Sequence, residues 1–187
     1  MECKRCGTCC RKGGPALHKQ DMSVLGKGLI QPHHLYTIRK GEPAYDPAAD
    51  SIIFLPSEII KVKGEPCIFF SDRDKRCTIY NYRPIECRAL KCWDTKAIER
   101  LFLKNLLSRG DLFQGAGSIM KLIAAYEESF SLELILNASS THLSLLIEKD
   151  LQFRETVIKN YGISPEVLPL VLGRAIREVV ATLGQNR

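Results

Sequence analysis

The chain has 187 residues, of which 45 % are hydrophobic, and it carries a formal net charge of +6 at pH 7. This length suits one medium-sized domain, or a small module joined to a larger one. No apolar stretch reaches the roughly eighteen residues that a membrane helix needs, and the N-terminus has no apolar signal-peptide core, so neither feature is expected. We therefore expect a cytoplasmic protein, in which the eight cysteines act as metal ligands or catalytic thiols rather than disulfides.

The basic side chains are concentrated in the first part of the chain. Residues 1–110 contain 20 Lys and Arg, 12 Asp and Glu, and all eight cysteines, whereas residues 111–187 contain 7 basic and 9 acidic residues. Nearby basic groups lower the pKa of a thiol and so favour metal loading, which accounts for the charge. Aromatic residues make up only 7 % of the chain and no motif that reads DNA or RNA is present, so nucleic acid is not expected as a partner.

The first ten residues contain four cysteines, Cys3, Cys6, Cys9 and Cys10, in a C-x-x-C-x-x-C-C run. Two residues between cysteines let two thiolates converge on one metal through a tight turn, for which Gly7 supplies the backbone freedom. The first three cysteines have the spacing of a bacterial ferredoxin run. Adjacent side chains are expected to point apart, which would assign Cys9 and Cys10 to different metal centres.

Short elements separated by loops are predicted for the next fifty residues. Proline positions, caps and apolar runs predict short helices over residues 21–25 and 32–39, a strand over residues 51–55, and a strand or short helix over residues 59–63.

The other four thiols lie in a second region and are Cys67, Cys77, Cys87 and Cys92. Two short β-like runs beginning at Cys67 and Cys77 flank a polar turn and predict a hairpin, which would bring these residues to about one strand spacing, near 5 Å. Pro84 predicts the start of a helix. Cys87 would lie three residues into that helix, and Cys92 beyond its end.

Helical periodicity replaces cysteine spacing after about residue 94. The apolar positions, caps and glycine stops predict four helices, over residues 94–108, 118–129 with an extension to 136, 141–161 and 164–183. Such helices would form a bundle or a helical layer with its own core.

A bound metal explains the thiol pattern better than inert buried cysteines do, because free cysteines seldom cluster without a reason. Every cysteine is a candidate ligand: Cys3, Cys6, Cys9, Cys10, Cys67, Cys77, Cys87 and Cys92. They could form two four-ligand sites, or one site with structural or redox thiols left over. Thiolate sites suit both zinc and iron–sulfur clusters, and the repeated two-residue spacing favours the cluster.

Three motifs together resemble the CxxCxxCC cysteine-cluster family of zinc- or iron-chelating domains: the N-terminal run, Cys77-Thr-Ile-Tyr80 and Arg83-Pro84-x-x-Cys87-Arg88. The resemblance covers residue 1 to about residue 94 and implies a metal-binding module with seven shared cysteines, all except Cys92. The family includes flagellin lysine methylases, but residues 95–187 contain no glycine-rich adenosyl-methionine loop, so methylase activity is not inferred.

The two arginines beside the thiols have alternative interpretations. Arg83 and Arg88 either donate hydrogen bonds to cluster sulfurs or thiolates, or form surface ion pairs with Asp72, Asp74 or Glu86. No Ser–His–Asp arrangement or phosphate-binding loop is recognisable, so whether the protein is an enzyme stays open.

The sequence therefore predicts a mainly α protein. An irregular, metal-stabilised cysteine-rich module with a short β-hairpin would occupy residues 1–94, followed by a helical bundle or layer over residues 95–187, or the two would form one continuous globule. The favoured function is an iron–sulfur protein acting in electron transfer or as a redox component of another enzyme, with a protein partner docked on the helical part. The alternatives are a zinc-stabilised structural or interaction module, and a metal-dependent enzyme acting on a protein or small molecule.

Overall fold

The computed structural model describes residues 6–46 and 49–185. A little under half of the chain is helical, and within the described ranges the strands form small two-stranded antiparallel sheets. The protein is therefore helix-rich and of mixed α/β character. The predicted helices and hairpin are present in part, but the chain is not clearly mainly α as expected.

The strands described by the structure are β1 (Leu35–Ile38), β2 (Pro43–Asp46), β3 (Ser51–Phe54), β4 (Ile59–Val62), β5 (Phe70–Ser71) and β6 (Arg76–Cys77). β1 pairs with β4, β2 with β3, and β5 with β6. The strand predicted over residues 51–55 is thus confirmed, and residues 59–63 form the strand rather than the helix.

The α-helices described by the structure are α1 (Thr8–Arg11), α2 (Met22–Leu25), α3 (Ile85–Ala89), α4 (Lys96–Glu99), α5 (Arg109–Leu112), α6 (Gly117–Ser129), α7 (Leu132–Asn137), α8 (Ser140–Tyr161), α9 (Leu168–Val171) and α10 (Ile176–Gln185). Short 3₁₀ turns cover Lys19–Asp21, Pro32–His34 and Tyr80–Tyr82.

The helix predicted over residues 32–39 is wrong, because after one 3₁₀ turn the chain enters β1. Leu35 and Thr37 are buried while Tyr36 and Ile38 are partly exposed, which is the alternation of a strand. The Thr37 hydroxyl donates to the carbonyl of Leu170, at 2.6 Å, and so fastens this strand to α9.

The best-predicted helix is α8, whose bounds agree with the sequence expectation. The Ser139 side chain caps it by accepting from the His142 N–H, and Gly162 ends it with φ 63°. The extension of α6 to residue 136 is wrong. The chain breaks at Phe130, and the Ser131 side chain begins α7 by accepting from the Leu134 N–H.

Two other predicted helices are divided. Between residues 94 and 108 only Lys96–Glu99 is α-helical, because Leu103 and Asn105 adopt left-handed φ values of 56° and 50°. The last helix is interrupted at Gly173, with φ 78°, where a Cβ atom would lie 2.7 Å from Cγ of Arg39. The close packing of Arg39 therefore leaves no room for a side chain at the break between α9 and α10.

The apolar core has one large region among α6–α10 and another around β1 and β4. Tyr126, Leu172 and Val179 lie in the first region, whereas Leu35 and Ile60 belong to the second. The second region also contains Leu170, so α9 contributes to both parts of the protein.

Arg39 is a fully buried cation at the junction of these regions. Its Nη1 donates to the carbonyl of Phe130, at 2.8 Å, and to Glu127, at 3.3 Å. Its Nε lies 3.8 Å from a carboxylate oxygen of Glu42, which is also fully buried and pairs with Arg174. These charges belong to β-rich and helical segments far apart in sequence, so the ion pairs link the two parts.

Arg109, at the start of α5, makes a second link of this kind. Its Nε donates to Glu58 at 2.7 Å, its Nη2 to Glu127 at 2.6 Å, and its Nη1 to the carbonyl of Val171 at 2.8 Å. The Arg109 side chain therefore joins the segment just before β4 to α6 and α9. The division into residues 1–94 and 95–187 stays a prediction.

A third buried ionic cluster lies inside the helical part. Arg154 Nε donates to Asp150 at 2.8 Å, and its Nη2 approaches the Tyr126 hydroxyl at 2.7 Å. The other Asp150 oxygen accepts from the backbone N–H of Ile176, at 2.9 Å, at the start of α10. In residues 6–46 and 49–185, no helix has the length and apolar content for crossing a membrane.

Candidate metal centre

One cavity of about 430 Å³ contains every thiol that the structure describes. The cysteines lining it are Cys6, Cys9, Cys10, Cys67, Cys77, Cys87 and Cys92. Cys9, Cys10, Cys67, Cys77, Cys87 and Cys92 are not in disulfides. They come from α1, the β5–β6 region, and α3 with the turn after it. Cys3, also a predicted ligand, lies outside the described residues.

The first side of the cavity is α1, which carries Cys9 and Cys10. Gly7 precedes α1 and has a φ of 76°, the left-handed conformation that glycine adopts easily. This agrees with the tight turn that the sequence predicts at Gly7. A Cβ atom on Gly7 would lie 2.3 Å from the Phe70 ring. The Sγ atoms of Cys9 and Cys10 are 4.0 Å apart and both residues line the cavity, so the expectation that they point apart is wrong.

The second side is the β5–β6 hairpin. The backbone N–H of Cys67 donates to the carbonyl of Cys10, at 2.7 Å, which fixes this segment against the end of α1. Phe70 pairs with Cys77 in the hairpin. The predicted hairpin is therefore present, although each strand has only two residues. The predicted pairing of Cys67 with Cys77 is wrong, because Cys77 pairs with Phe70 and Cys67 precedes the strand.

The third side is α3, which carries Cys87 and is held by a buried carboxylate. Asp21 is fully buried, and one of its oxygens accepts from the Ile85 N–H, at 2.8 Å, at the first residue of the helix. The other oxygen accepts from the His18 N–H, at 3.0 Å. Asp21 thus satisfies a helix-terminal donor and fixes where α3 begins.

A histidine–glutamate pair holds the next residue of α3. Glu86 accepts from the Ala16 N–H at 2.7 Å, and its other oxygen lies 3.3 Å from Nε2 of His18. The second ring nitrogen of His18 lies 2.8 Å from the carbonyl of Lys104. Both nitrogens face acceptors, which favours the doubly protonated ring, and the hydrogen bond to Glu86 is the main reason why the pKa of His18 is raised.

Burial dominates the acidity of the cavity thiols. It raises the pKa of Cys10 to about 12, with the neighbouring Cys9 adding to the effect. It also raises the pKa of Cys67, Cys77 and Cys87, the last assisted by repulsion from surrounding thiols. The pKa of each of these four thiols is therefore raised overall, contrary to the expectation, and a basic neighbour opposes the shift at Cys77 alone. Buried thiols of this kind lose their protons most readily when a metal cation binds and takes the place of the protons.

Two basic side chains, Arg76 and Arg83, line the cavity with the thiols. Arg83 lies over the Tyr80 ring, 3.6 Å from the centroid, and its charge lowers the pKa of Cys77, against the larger effect of burial. Its Nε is buried without a hydrogen-bond partner among the described residues. The predicted surface ion pairs of Arg83 are not present among the described residues. Asp72 pairs with Arg11 instead, at 2.6 Å, and Glu86 contacts Ala16 and His18.

The remaining thiols lie at the edge of the cavity. Cys6 and Cys92 are exposed, and the Cys6 Sγ is 3.2 Å from the Thr8 hydroxyl. Cys92 follows the end of α3, as the sequence predicts. Arg88 is exposed and does not line the cavity.

The cavity has the donor atoms that a thiolate-bound metal needs, but the thiols are not yet arranged as a coordination shell. Within the described ranges, no group of three or more His, Cys, Asp or Glu side chains is already arranged to hold a metal ion. Yet soft sulfur donors surround one space, they are partly withdrawn from water, and the unpaired Arg83 Nε can donate to a negative centre.

The residues that orient α3 were not identified from the sequence. His18 and Asp21 lie outside the cysteine motifs, and Glu86 occupies an unspecified position of the Arg83–Arg88 motif. The spacing of His18 and Asp21 matches an N-cap and N3 pair, a pattern that could have revealed the Asp21 contact to His18. The Glu86 contact depends on tertiary structure.

A shared cavity with this many thiols is typical of cysteine-rich metal-chelating domains. The family model described as "Putative zinc- or iron-chelating domain" matches residues 2–104, more than half of the chain. The chain belongs to this CxxCxxCC family. The match extends past residue 94, where the cysteine module was expected to end. No curated protein gives a significant match. No solved structure does so either.

Proposed function

We propose that this chain binds an iron–sulfur cluster through its cavity thiols, and that it acts in electron transfer or as a redox component of another enzyme. The observation that carries the proposal is that all seven described cysteines line one cavity. A zinc site and an iron–sulfur cluster each take four cysteine ligands, so the seven thiols supply one complete centre and most of a second in either case. The repeated two-residue spacing of the N-terminal cysteines is what favours the cluster over zinc.

The ligands that we propose come from all eight cysteines: Cys3, Cys6, Cys9, Cys10, Cys67, Cys77, Cys87 and Cys92. The strongest candidates are the thiols whose mutual repulsion contributes to the raised pKa of Cys10 and Cys87, which are Cys9, Cys10, Cys67, Cys77 and Cys87. Such repulsion requires that the sulfurs lie near one another, and a shared cation would relieve it.

The rest of the chain would position and insulate this centre. When bound, an iron–sulfur cluster supplies one-electron transfer at a potential set by its surroundings. Arg83 would donate to the thiolate side of Cys77 and lower its negative charge density. Asp21 and Glu86 hold α3, and therefore Cys87, in register with α1 and the hairpin.

A redox role also needs a protein partner, which we place on the helical part of the chain. The long helix α8 exposes Leu145 and Leu151, at 45 % and 57 %. Exposed apolar side chains on an otherwise polar helix suit a transient contact with a redox enzyme.

A zinc-stabilised structural module is the second candidate function. Its favouring observation is that the thiols come from three segments with little regular structure between them: α1, the hairpin and α3. One closed zinc site would cross-link these segments and contribute its binding free energy to folding. A metal-dependent enzyme acting on a protein or small molecule is a third, for which space beside the metal is required.

Anaerobic purification followed by metal and sulfide analysis separates the first two candidates. We expect a brown protein with broad absorbance near about 400 nm and matching amounts of iron and acid-labile sulfide. A colourless protein with zinc and no sulfide would instead establish the structural alternative.

Serine substitutions test the ligands. Cys87→Ser and Cys6→Ser should each lower the metal content, because a hydroxyl is a poor substitute for a soft thiolate. His142→Ala is the matched control, since His142 is a potential ligand outside this cavity. Full metal content in both cysteine variants would refute the ligand proposal, whichever metal is found.

A further inference from the structure

We propose that β3 is an association edge, at which two copies of this chain pair their β3 strands antiparallel and join two β2–β3 hairpins into one sheet. The partner is therefore a second copy of the chain. This inference goes beyond the proposed function, since the hairpin contains no cysteine and the pairing is independent of the metal.

One edge of β3 has no neighbour in the structure. β3 pairs with β2, and in residues 6–46 and 49–185 no further strand or isolated bridge lies against it. β4 is different, because it lies between β1 and a bridge that joins Ala16 to Lys61. Uncovered edges in natural proteins usually carry a charge or a proline, whereas β3 has the sequence Ser-Ile-Ile-Phe and contains neither. This edge is therefore open to another strand.

The direction of the β3 backbone groups follows from its ladder with β2. The Leu55 N–H donates to the Glu42 carbonyl, at 3.0 Å, so the residues directed toward β2 are Leu55 and every second residue before it. Ile53 belongs to that set. Ile52 and Phe54 alternate with it, and their N–H and C=O groups therefore point to the open edge. β3 offers both donors and acceptors for a new ladder.

The opposite edge of the hairpin is closed by a proline. Pro43 and Tyr45 lie opposite Phe54 and Ile52, so they hold the outward positions of β2. Pro43 has no N–H to donate, and proline is tolerated within sheets at an edge of this kind. Association through β3 therefore stops at two copies instead of continuing into a fibre.

A second copy matches the open edge of β3 by symmetry. A two-fold axis through Ile53 places Ile52 of one copy opposite Phe54 of the other, so outward N–H groups meet outward carbonyls. Each such pair joins an aromatic to a β-branched side chain, a favourable combination across strands. Ile52 and Phe54 are 51 % and 61 % exposed, and Tyr45 on the same face is 54 % exposed, so the contact has apolar surface to cover.

The charge pattern also favours a second copy as the occupant. β3 is neutral, so a charged strand of another protein would gain no ion pair there. In the two-fold register Asp50 lies opposite Pro56 and Ser51 lies opposite Leu55, so no like charges meet across the new ladder. A neutral apolar strand is the matching partner, and the chain itself supplies one.

Sedimentation equilibrium of the metal-loaded full chain tests the pairing, in anaerobic buffer with a reductant so that exposed Cys92 forms no intermolecular disulfide. We expect a reversible monomer–dimer equilibrium. A contact between two short strands is smaller than a standard interface, so the Kd should be about 10 μM to 1 mM. As concentration rises, the Ile52 and Phe54 amides should exchange with solvent more slowly, whereas the Ile53 amide is protected throughout.

Proline substitutions locate the edge. Ile52→Pro removes an outward N–H without removing a bond of the ladder to β2, and should weaken dimerisation by at least about tenfold. Tyr45→Pro is the matched control, because it makes the same change at the other edge of the hairpin and removes an exposed aromatic ring. It should leave the Kd unchanged. Circular dichroism and metal content show whether each variant is folded.

Three results would overturn the inference: a chain that stays monomeric up to about 1 mM, equal weakening by the two proline variants, or open-ended assembly beyond a dimer. Equal weakening would assign the association to the apolar face of the hairpin. Amide exchange needs no variant, so exchange of Ile52 and Phe54 that is independent of concentration refutes the pairing even where Ile52→Pro does not fold. Slower exchange only after addition of another protein would assign the edge to that protein instead.

Discussion

The buried carboxylate of Asp21 gives the sharpest test of how this chain builds its thiol cavity. Asp21 is fully buried and accepts two backbone hydrogen bonds, from Ile85 at 2.8 Å and from His18 at 3.0 Å. Asp21→Asn keeps the shape and one acceptor oxygen but turns a nitrogen donor toward one of the two N–H groups. Because that N–H then lies buried and unsatisfied, one charge-assisted hydrogen bond is lost and a donor is left without an acceptor.

A hydrogen bond to a charged group contributes about 1.5–3 kcal/mol, so we expect Asp21→Asn to lower the free energy of unfolding by about 2–3 kcal/mol. The start of α3 is also loosened, and Cys87 two residues further along should hold metal less well. Asp94→Asn is the matched control. Asp94 is exposed and accepts one N–H, from Lys96 at 3.2 Å, so we expect a change within about 0.5 kcal/mol.

The assay is urea unfolding monitored by circular dichroism, with metal content measured on the folded samples. The two variants should differ in their unfolding midpoint while the slope stays the same. If Asp21→Asn unfolds at the same urea concentration as Asp94→Asn and retains its metal, the argument that Asp21 positions α3 is refuted.

Three further predictions concern other parts of the structure. The raised pKa of His18 implies stabilisation that is fully present below its ordinary value of 6.5 and is lost as pH rises through the folded pKa. His18→Gln should therefore destabilise the protein more at about pH 6 than at about pH 8, and equal losses would contradict this linkage. Gly7→Ala would place a Cβ atom in a left-handed conformation, at φ 76°, and 2.3 Å from the Phe70 ring. It should lower the free energy of unfolding by more than Gly115→Ala, which has a similar φ of 86° but open space around it and should cost about 1–2 kcal/mol. Equal melting temperatures of the two variants would show that the Phe70 ring moves aside. Asp150→Ala should reduce the free energy of unfolding by about 3–5 kcal/mol in urea titrations, because it strands the buried Arg154, and a loss below about 1 kcal/mol would contradict that reason.

The features predicted correctly from the sequence have local causes. The end of α8 needs only Gly162, and the start of α3 follows directly after Pro84. The β5–β6 hairpin requires a polar turn between two apolar runs, and Gly7 was recognised as the turn residue of the thiol run. In each case a few neighbouring residues decide the backbone conformation.

The failures have distant causes. Residues 100–107 have helical periodicity but form a turn. In this turn the carbonyl of Lys104 hydrogen-bonds with the His18 ring, and that of Asn105 accepts from the Lys19 N–H, more than eighty residues earlier. Such pairings are decided by tertiary contacts, which override local propensity. At Gly173 the glycine is likewise required by a distant residue, because Arg39, which follows β1, leaves no space for a side chain there.

The thiol cavity shows the same division. Cysteine spacing is visible in the printed sequence, so the eight candidate ligands could be named from it. The pKa directions could not, because the burial that raises them for Cys10, Cys67, Cys77 and Cys87 exists only once three segments have folded together. Arg83 was a candidate from its motif, but its unpaired Nε is a property of packing.

The guanidinium of Arg39 makes the protein hard to cut in two. A fragment ending at residue 94 would keep this cation but lose Glu127 and the Phe130 carbonyl, the groups that neutralise and solvate it. Removing the partners of a buried charge costs about 3–5 kcal/mol, a large share of the stability of a domain this size. The sulfur-rich end would then be expected to misfold or precipitate when made by itself, and to regain solubility when the two pieces are produced together.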